Sequence, residues 1–146
     1  MSGNKNLLIL GERQYGQTAK EIAEETGEFE NIVTLDETPN NENYKNKITE
    51  FLFAFVALSD STERLKLTRI LEECGYKIAT LISPKAYVSR KAKVGKGVMV
   101  EPFAVINSEE IISDCCYIGA NAVIDYGSKI GEGSTICCGA TVVDNT

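Results

Sequence analysis

The sequence contains no histidine and no tryptophan, and it has only 3 prolines in 146 residues. Without histidine, the chain lacks the side chain that most often acts as a general base near neutral pH and most often binds metals. The apolar run at residues 7–10 is too short to cross a membrane or to form an export signal. We therefore predict a cytoplasmic protein that has no histidine-based chemistry.

An excess of acidic side chains gives the chain a net charge of −6 and a pI of about 4.8. This charge argues against nucleic acid or an anionic membrane surface as the main partner, although local basic sites remain compatible with it. With 43% hydrophobic residues in 146, the chain can bury one moderate core or two small ones.

An aliphatic residue returns at every sixth position from Ile82 to Val142. A period of six fits neither an α-helix nor a flat strand, and it predicts a parallel β-helix with one inward aliphatic per short strand. A small residue usually follows four positions later, as a second inward side chain; Val98 is a modest exception and Glu110 a real one. The eleven aliphatic positions are Ile82, Val88, Val94, Val100, Ile106, Ile112, Ile118, Ile124, Ile130, Ile136 and Val142.

The five cysteines form neither a CxxC motif nor a zinc-binding spacing, so we predict no metal site. We expect free buried thiols, and a disulfide between neighbouring coils is the alternative. Since adjacent residues of a strand point to opposite sides, only one member of each adjacent pair can face the core. The cysteines are Cys74, Cys115, Cys116, Cys137 and Cys138.

Residues 1–80 have a different pattern, in which apolar strands alternate with amphipathic helices. The pattern predicts a β-α-β-β-α-β Rossmann-like domain, with a polar surface loop at residues 38–46. The apolar segment at residues 51–58 is typical of a central parallel strand covered on both faces. The predicted β-helix follows at residues 81–146.

The carboxyl ends of the predicted strands carry glycines and polar residues, where ligands of open parallel sheets bind. Residues 11–16 form a predicted loop with a glycine at each end, and its alternative is a plain turn. Asp36 stands where such folds place a ribose-binding acid, or is a solvated carboxylate. Asp60 either lines the site or caps a helix together with Glu63. The candidate residues are Gly11, Gln14, Tyr15, Gly16, Asp36, Ser59, Asp60 and Ser61.

Arg64 stands one turn into the predicted second helix. It either faces a phosphate group at the same edge of the sheet or is an ordinary solvated arginine. We expect the second alternative, because exposed arginines are the more common.

The two parts together resemble the sialic-acid O-acetyltransferase and bacillosamine-pathway sugar N-acetyltransferase family of bacterial glycan biosynthesis. The order of the hexads after this particular N-terminal domain carries the resemblance, since hexads alone are shared by many acyltransferases. The matching segments are residues 11–16, 35–36, 57–61 with Arg64, 81–86 and 124–132.

The resemblance implies that the N-terminal domain binds a UDP-sugar and that left-handed β-helices assemble as a homotrimer. It also implies acetyl-coenzyme A between subunits, as the co-substrate. The exposed aromatic candidates for the subunit contact are Tyr87, Phe103, Tyr117 and Tyr126.

In this family a histidine of one hexad acts as the base, and Tyr126 stands at that position here. The family's histidines at the positions of Tyr15 and Ser83 are also absent. A phenol with an ordinary pKa near 10 is a poor general base at neutral pH. Asp125 could substitute for the histidine if its carboxylate were desolvated.

A second difference from the family is length, since eleven hexads give under four coils if three hexads make one coil. Either the sequence is shortened, or a partner closes the end of the β-helix. We therefore expect an acetyl-coenzyme A-dependent acetyltransferase-family protein that acts on a nucleotide-linked amino sugar and is impaired. The alternatives are a non-catalytic sugar-nucleotide binder or assembly subunit, and a purely structural β-helix protein.

Overall fold

The computed structural model describes residues 4–11, 13–36 and 43–146. The chain divides into two compact units, Met1–Ala79 and Thr80–Thr146.

The described part of the first unit is a four-stranded parallel sheet in the order β2-β1-β3-β4, accompanied by helices α1 and α2. The element order agrees with the predicted β-α-β-β-α-β pattern. The elements are β1 (Leu7–Gly11), α1 (Arg13–Thr26), β2 (Ile32–Leu35), a 3₁₀ turn (Asn43–Asn46), β3 (Phe53–Ala57), α2 (Ser61–Glu73) and β4 (Lys77–Ile78).

The two central strands of the sheet, β1 and β3, lie in the core of this unit. All five residues of β1 and the last four of β3 are buried. Leu8 and Val56 pack in one cluster with Leu71 of α2, and each such buried side chain contributes about 1.5–3 kcal/mol relative to exposure. The apolar segment at residues 51–58 therefore contains a central strand, as predicted, although that strand spans only Phe53–Ala57.

The predicted surface loop at residues 38–46 is wrong for its last part. Residues 43–46 form a 3₁₀ turn, and Tyr44 is 5% exposed within the same core cluster. The aromatic ring explains the error, because it brings an otherwise polar segment onto the core. Residues 38–42 lie outside the described part of the chain.

Every residue of the second unit is described, and it contains eleven strands of two residues each. Each strand ends in one of the eleven predicted aliphatic residues, and parallel pairs join residues 18 apart, such as Leu81 with Met99. Three hexads therefore make one coil of a parallel β-helix, as predicted. The strands run from β5 (Leu81–Ile82) through β6 (Tyr87–Val88), β7 (Lys93–Val94), β8 (Met99–Val100), β9 (Val105–Ile106), β10 (Ile111–Ile112), β11 (Tyr117–Ile118), β12 (Val123–Ile124), β13 (Lys129–Ile130) and β14 (Thr135–Ile136) to β15 (Thr141–Val142).

Three stacked sheets form the sides of the β-helix: β5-β8-β11-β14, β6-β9-β12-β15 and β7-β10-β13. The hexad aliphatics point inward and pack in one cluster with five of the predicted small residues, Ala86, Ala92, Ala104, Cys116 and Ala122. Because successive residues of a strand face opposite ways, the first residue of each strand points outward.

The corners of the β-helix also follow the six-residue period. From residue 97 onward, the third residue after each aliphatic has a positive φ. This left-handed conformation suits glycine and asparagine, but it is costly for Phe103 and Cys115. The nine residues are Gly97, Phe103, Glu109, Cys115, Asn121, Gly127, Gly133, Gly139 and Asn145.

The cysteines are all free thiols, but the prediction that they are buried is right only for Cys115 and Cys116, since Cys74 is half-buried and the other two are exposed. Cys116 lies in the interior cluster and Cys115 does not, as expected for an adjacent pair, although both are buried. Cys137 and Cys138 are exposed, because both stand on a corner outside the inward positions.

Candidate functional site

In the first unit, the candidate residues lie where parallel strands end. Gly11 ends β1, Asp36 follows β2 directly, and Ser59 lies two residues beyond the end of β3. Because these three strands are parallel neighbours, their carboxyl ends share one edge of the sheet. The fold thus places the predicted candidates along one edge, which we call the carboxyl edge.

Gly11 allows β1 and β3 to approach each other closely at this edge. A Cβ atom at Gly11 would lie 2.1 Å from the main-chain oxygen of Ala57, which is far closer than any real contact. The requirement for glycine here therefore comes from packing between strands.

The predicted loop over residues 12–16 is wrong, because α1 begins at Arg13. Glu12 lies outside the described residues, so Gln14, Tyr15 and Gly16 stand in the first turn of the helix. The first four N–H groups of a helix have no partner within it, and they attract anions. These three candidates therefore stand at a helix N-terminus at the carboxyl edge and not in a loop.

The three first-turn candidates differ in accessibility. Gln14 is exposed, Tyr15 is half-buried and Gly16 is buried. A Cβ atom at Gly16 would meet nothing within 4 Å. No packing therefore demands glycine at this position, and there is space beside the backbone.

Asp36 and the three residues after Leu58 are exposed. Asp60 is the N-cap of α2, and its Oδ1 accepts a 2.9 Å hydrogen bond from the main-chain N–H of Glu63. Asp60 therefore caps the helix, which is one of the two roles predicted for it from the sequence. Ser59 and Ser61 flank the cap.

Arg64 is completely buried, so the prediction of a solvated arginine is wrong. Its Nη1 atom donates hydrogen bonds to the main-chain oxygens of Leu58, at 2.8 Å, and Ser59, at 3.3 Å. The helical period contained the signal, since Arg64 precedes the buried residues Leu67, Thr68 and Leu71 on one face of α2.

In the second unit, Tyr126 follows β12 on a corner of the β-helix and is 53% exposed. Asp125 beside it is also exposed, so the desolvation that a substitute base would need is absent. Its Oδ1 atom accepts hydrogen bonds from Asn107 Nδ2, at 3.2 Å, and from the N–H of Tyr126, at 2.9 Å. These bonds occupy the Oδ1 atom and hold the carboxylate against the coil.

Two other carboxyl groups of the β-helix have a raised pKa. Burial raises the pKa of the half-buried Glu101, while a hydrogen bond to the backbone of Ala120 opposes the change. Burial also raises the pKa of Glu110, an inward side chain with no solvent exposure. In the sequence, Glu110 stands out only as a break in the pattern of small residues, and Glu101 was not predicted as a candidate.

Large exposed hydrophobic side chains gather around the outer side of the β6-β9-β12-β15 sheet, which we call the aromatic face. Tyr87 points outward from β6 and is 60% exposed. Phe103 precedes β9 and is 60% exposed, while Tyr126 follows β12. The fourth predicted exposed aromatic is wrong: Tyr117 is 3% exposed.

Among the described residues, no group of three or more histidine, cysteine, aspartate or glutamate side chains could hold a metal ion. In the same part of the chain, no helix is long and apolar enough to span a membrane.

Solved structures with a similar fold include acetyltransferases. A histidine-to-alanine mutant of GDP-perosamine N-acetyltransferase from Caulobacter crescentus, in complex with CoA and GDP-perosamine, matches with a TM-score of 0.80 and 22% identity over 97% of this chain and 80% of its own. The acetyltransferase domain of PglB from Neisseria gonorrhoeae, in complex with acetyl-coenzyme A, matches with a TM-score of 0.74 and 21% identity over 97% of this chain and 94% of its own.

Curated relatives match a shorter stretch. An acyl-[acyl-carrier-protein]–UDP-N-acetylglucosamine O-acyltransferase from Chlamydia caviae is 40% identical over 57 residues, which are 39% of this chain and 20% of that protein. The enzyme of the same name from Chlamydia pneumoniae is 38% identical over 55 residues, again 20% of its length. The chain thus spans about a fifth of the length of these relatives. No family model matches it.

The resemblance drawn from the sequence is confirmed at the level of the fold. The stacked parallel sheets of the second unit are consistent with the left-handed β-helix of the hexapeptide acetyltransferases.

Proposed function

We propose that the chain is an acetyl-coenzyme A-dependent acetyltransferase-family protein that acts on a nucleotide-linked amino sugar in bacterial glycan biosynthesis and is catalytically impaired. The observation that supports this proposal most is the likeness to a GDP-perosamine N-acetyltransferase and to the acetyltransferase domain of PglB over 97% of the chain, which includes both units. The complete absence of histidine is the reason to expect impairment.

The first unit is the proposed Rossmann-like site for the sugar nucleotide, for which we expect a UDP-sugar. Its carboxyl edge carries the first turn of α1, the first turn of α2 and the exposed Asp36. Helix N-termini favour phosphate, and a carboxylate at the end of the second strand suits a ribose hydroxyl. The residues proposed for binding are Gly11, Gln14, Tyr15, Gly16, Asp36, Ser59, Asp60 and Ser61.

Acetyl transfer requires a base that takes a proton from the sugar's amine as the amine attacks the thioester. Tyr126, at the position of the family's histidine, is ill suited to this role, and Asp125 is exposed and already hydrogen-bonded. Loss of a positioned base usually lowers the rate about 10²- to 10⁴-fold. Substrate positioning alone would leave a slow residual reaction.

A homotrimer with acetyl-coenzyme A between its subunits completes the proposal. The aromatic face supports such a contact, because Tyr87, Phe103 and Tyr126 expose apolar surface around one side of the β-helix. Light scattering at micromolar concentration tests the assembly, and a monomer would contradict it.

The second candidate function is a non-catalytic sugar-nucleotide binder or assembly subunit. The hydrogen-bonded state of Asp125, together with the exposed Tyr126, favours it over an active enzyme. It shares the nucleotide site with the first candidate and differs only in chemistry.

Acetyl transfer from acetyl-coenzyme A to UDP- and GDP-linked amino sugars separates the two functions. The unmodified chain is compared with Tyr126→His, and with Tyr126→Gln as a matched variant that cannot take up a proton. We expect slow transfer by the unmodified chain and an increase of about 10²-fold or more in Tyr126→His only. No transfer by any of the three proteins would leave the non-catalytic function.

A further inference from the structure

The buried guanidinium of Arg64 lies directly beneath the carboxyl edge of the first unit. Its Nη1 atom bonds the oxygens of Leu58 and Ser59, the two residues between β3 and the helix cap at Asp60. Both bonds come from one nitrogen at the end of a rigid planar group, whereas a lysine side chain is shorter and carries its ammonium on a flexible stem. Arg64 therefore fixes the path of the main chain that carries the candidate residues Ser59, Asp60 and Ser61.

The same side chain places a positive charge where water does not screen it. Arg64 has no solvent exposure, and an arginine stays ionised when it is buried. The N-termini of α1 and α2 stand at the same edge of the sheet and carry partial positive charges. The same edge also carries the carboxylates of Asp36 and Asp60, so positive and negative groups lie side by side there.

Burial of a charged side chain is expensive, and packing does not require it at this position. Leu67 and Leu71 occupy the same face of α2 with apolar side chains, and an apolar residue at position 64 would avoid the desolvation of an ion. Keeping an arginine here is therefore explained by the main-chain oxygens that it holds.

We propose that Arg64 is a positioning residue of the nucleotide-sugar site, which holds the main chain of Leu58 and Ser59 and so orients the residues that follow them at the start of α2. This inference rests on the proposed function, since it assigns a role within that site. Arg64 acts through the loop, without a contact to the ligand being required.

Titration calorimetry on the full chain tests the proposal with a UDP-linked amino sugar, with UDP and with uncharged uridine as probes. The variants are Arg64→Lys, which keeps the charge, and Arg64→Met, which removes it. Arg69→Met is the matched control, because it removes the same charge from an exposed position of the same helix.

We expect Arg64→Lys and Arg64→Met to bind the UDP-sugar and UDP about tenfold more weakly or worse, the effect of losing a hydrogen bond to a charged group. Arg64→Met should weaken the binding of uridine less than the binding of UDP, because uridine has no phosphate. Hydrogen exchange should speed up at residues 58–61 in both variants. Arg69→Met should bind as the unmodified chain does.

Unchanged affinity for the UDP-sugar in a folded Arg64→Lys protein, with a melting temperature near that of the unmodified chain, would overturn the inference and leave the proposed function standing. If Arg64→Met does not fold, the comparison of Arg64→Lys with Arg69→Met decides. Absence of binding by the unmodified chain would overturn both proposals together.

Discussion

The carboxylate of Glu110 accepts a 3.1 Å hydrogen bond from the main-chain N–H of Ser128, which stands one coil further along the β-helix. Its second oxygen, Oε2, is buried with no hydrogen-bond partner among the described residues. Burial raises the pKa of Glu110, the negative charge of Asp125 raises it further, and the N–H of Ser128 opposes both. The interior of the β-helix thus holds a carboxyl group whose protonated form favours the folded state.

Glu110→Gln should stabilise the protein near neutral pH. Because the pKa is raised in the folded state, the stabilising contribution of Glu110 is present below its ordinary pKa and is lost as pH rises through the folded-state pKa. Glutamine keeps an oxygen that can accept the Ser128 N–H but cannot be ionised, so it avoids the cost of a buried charge. We expect the melting temperature to rise by a few degrees at pH 7 and to change little at pH 4. Thermal unfolding followed by circular dichroism measures both.

Glu109→Gln is the control for this prediction, since Glu109 is the exposed neighbour of Glu110. It should leave the melting temperature nearly unchanged at both pH values. An equal gain at pH 4 and pH 7 in Glu110→Gln would show that the charge of the carboxylate is not the cause.

Gly11→Ala should destabilise the first unit. The added Cβ would lie 2.1 Å from the oxygen of Ala57, so β1 and β3 must move apart. Forced overpacking of this kind costs about 1–3 kcal/mol. Denaturant unfolding measures the loss, and a variant as stable as the unmodified chain would contradict the close approach of the two strands.

Gly16→Ala should separate stability from binding. A Cβ at Gly16 meets nothing within 4 Å, and alanine in place of a helical glycine stabilises by about 0.5–1 kcal/mol. If phosphate approaches the first turn of α1, the same methyl group should weaken the binding of a sugar nucleotide. Tighter binding in calorimetry together with higher stability would exclude Gly16 from the site.

Phe103→Asn should relieve backbone strain while weakening self-association. Phe103 has a φ of 65°, and asparagine occupies the corresponding position on the next coil at Asn121, with a φ of 59°. Release of a left-handed conformation from an aromatic residue is worth about 1 kcal/mol. We expect a higher melting temperature and a smaller mass in light scattering at equal concentration.

Asn121→Gly is the matched change for Phe103→Asn, because it alters the same corner position without removing an aromatic side chain. It should leave the mass unchanged. A Phe103→Asn protein that assembles as the unmodified chain does would remove Phe103 from the proposed contact.

The β-helix was predictable from the sequence because its period is set by geometry. Each coil repeats every 18 residues, so an inward position cannot shift without exposing an aliphatic residue such as Ile118. The left-handed corner residues were not predicted, since Phe103 and Cys115 carry no local signal for that conformation. Tyr117 was misjudged because its outward direction says nothing about what covers it.

The candidate site was predictable at the level of its edge but less so in detail. The strand pattern alone predicts that Gly11, Asp36 and Ser59 stand at the ends of three parallel strands. The start of α1 at Arg13 and the burial of Arg64 depend on tertiary packing, which overrides the preference of charged residues for water.

The central claim is that the chain retains a sugar-nucleotide site while its transfer chemistry is impaired, and thermal stabilisation by UDP-linked amino sugars tests the first part most directly. Acetyl-coenzyme A is measured in parallel wells. A ligand at about a hundred times its dissociation constant adds roughly 2.7 kcal/mol, so we predict a clear rise in melting temperature with a sugar nucleotide. No rise with any UDP- or GDP-linked amino sugar would contradict the account.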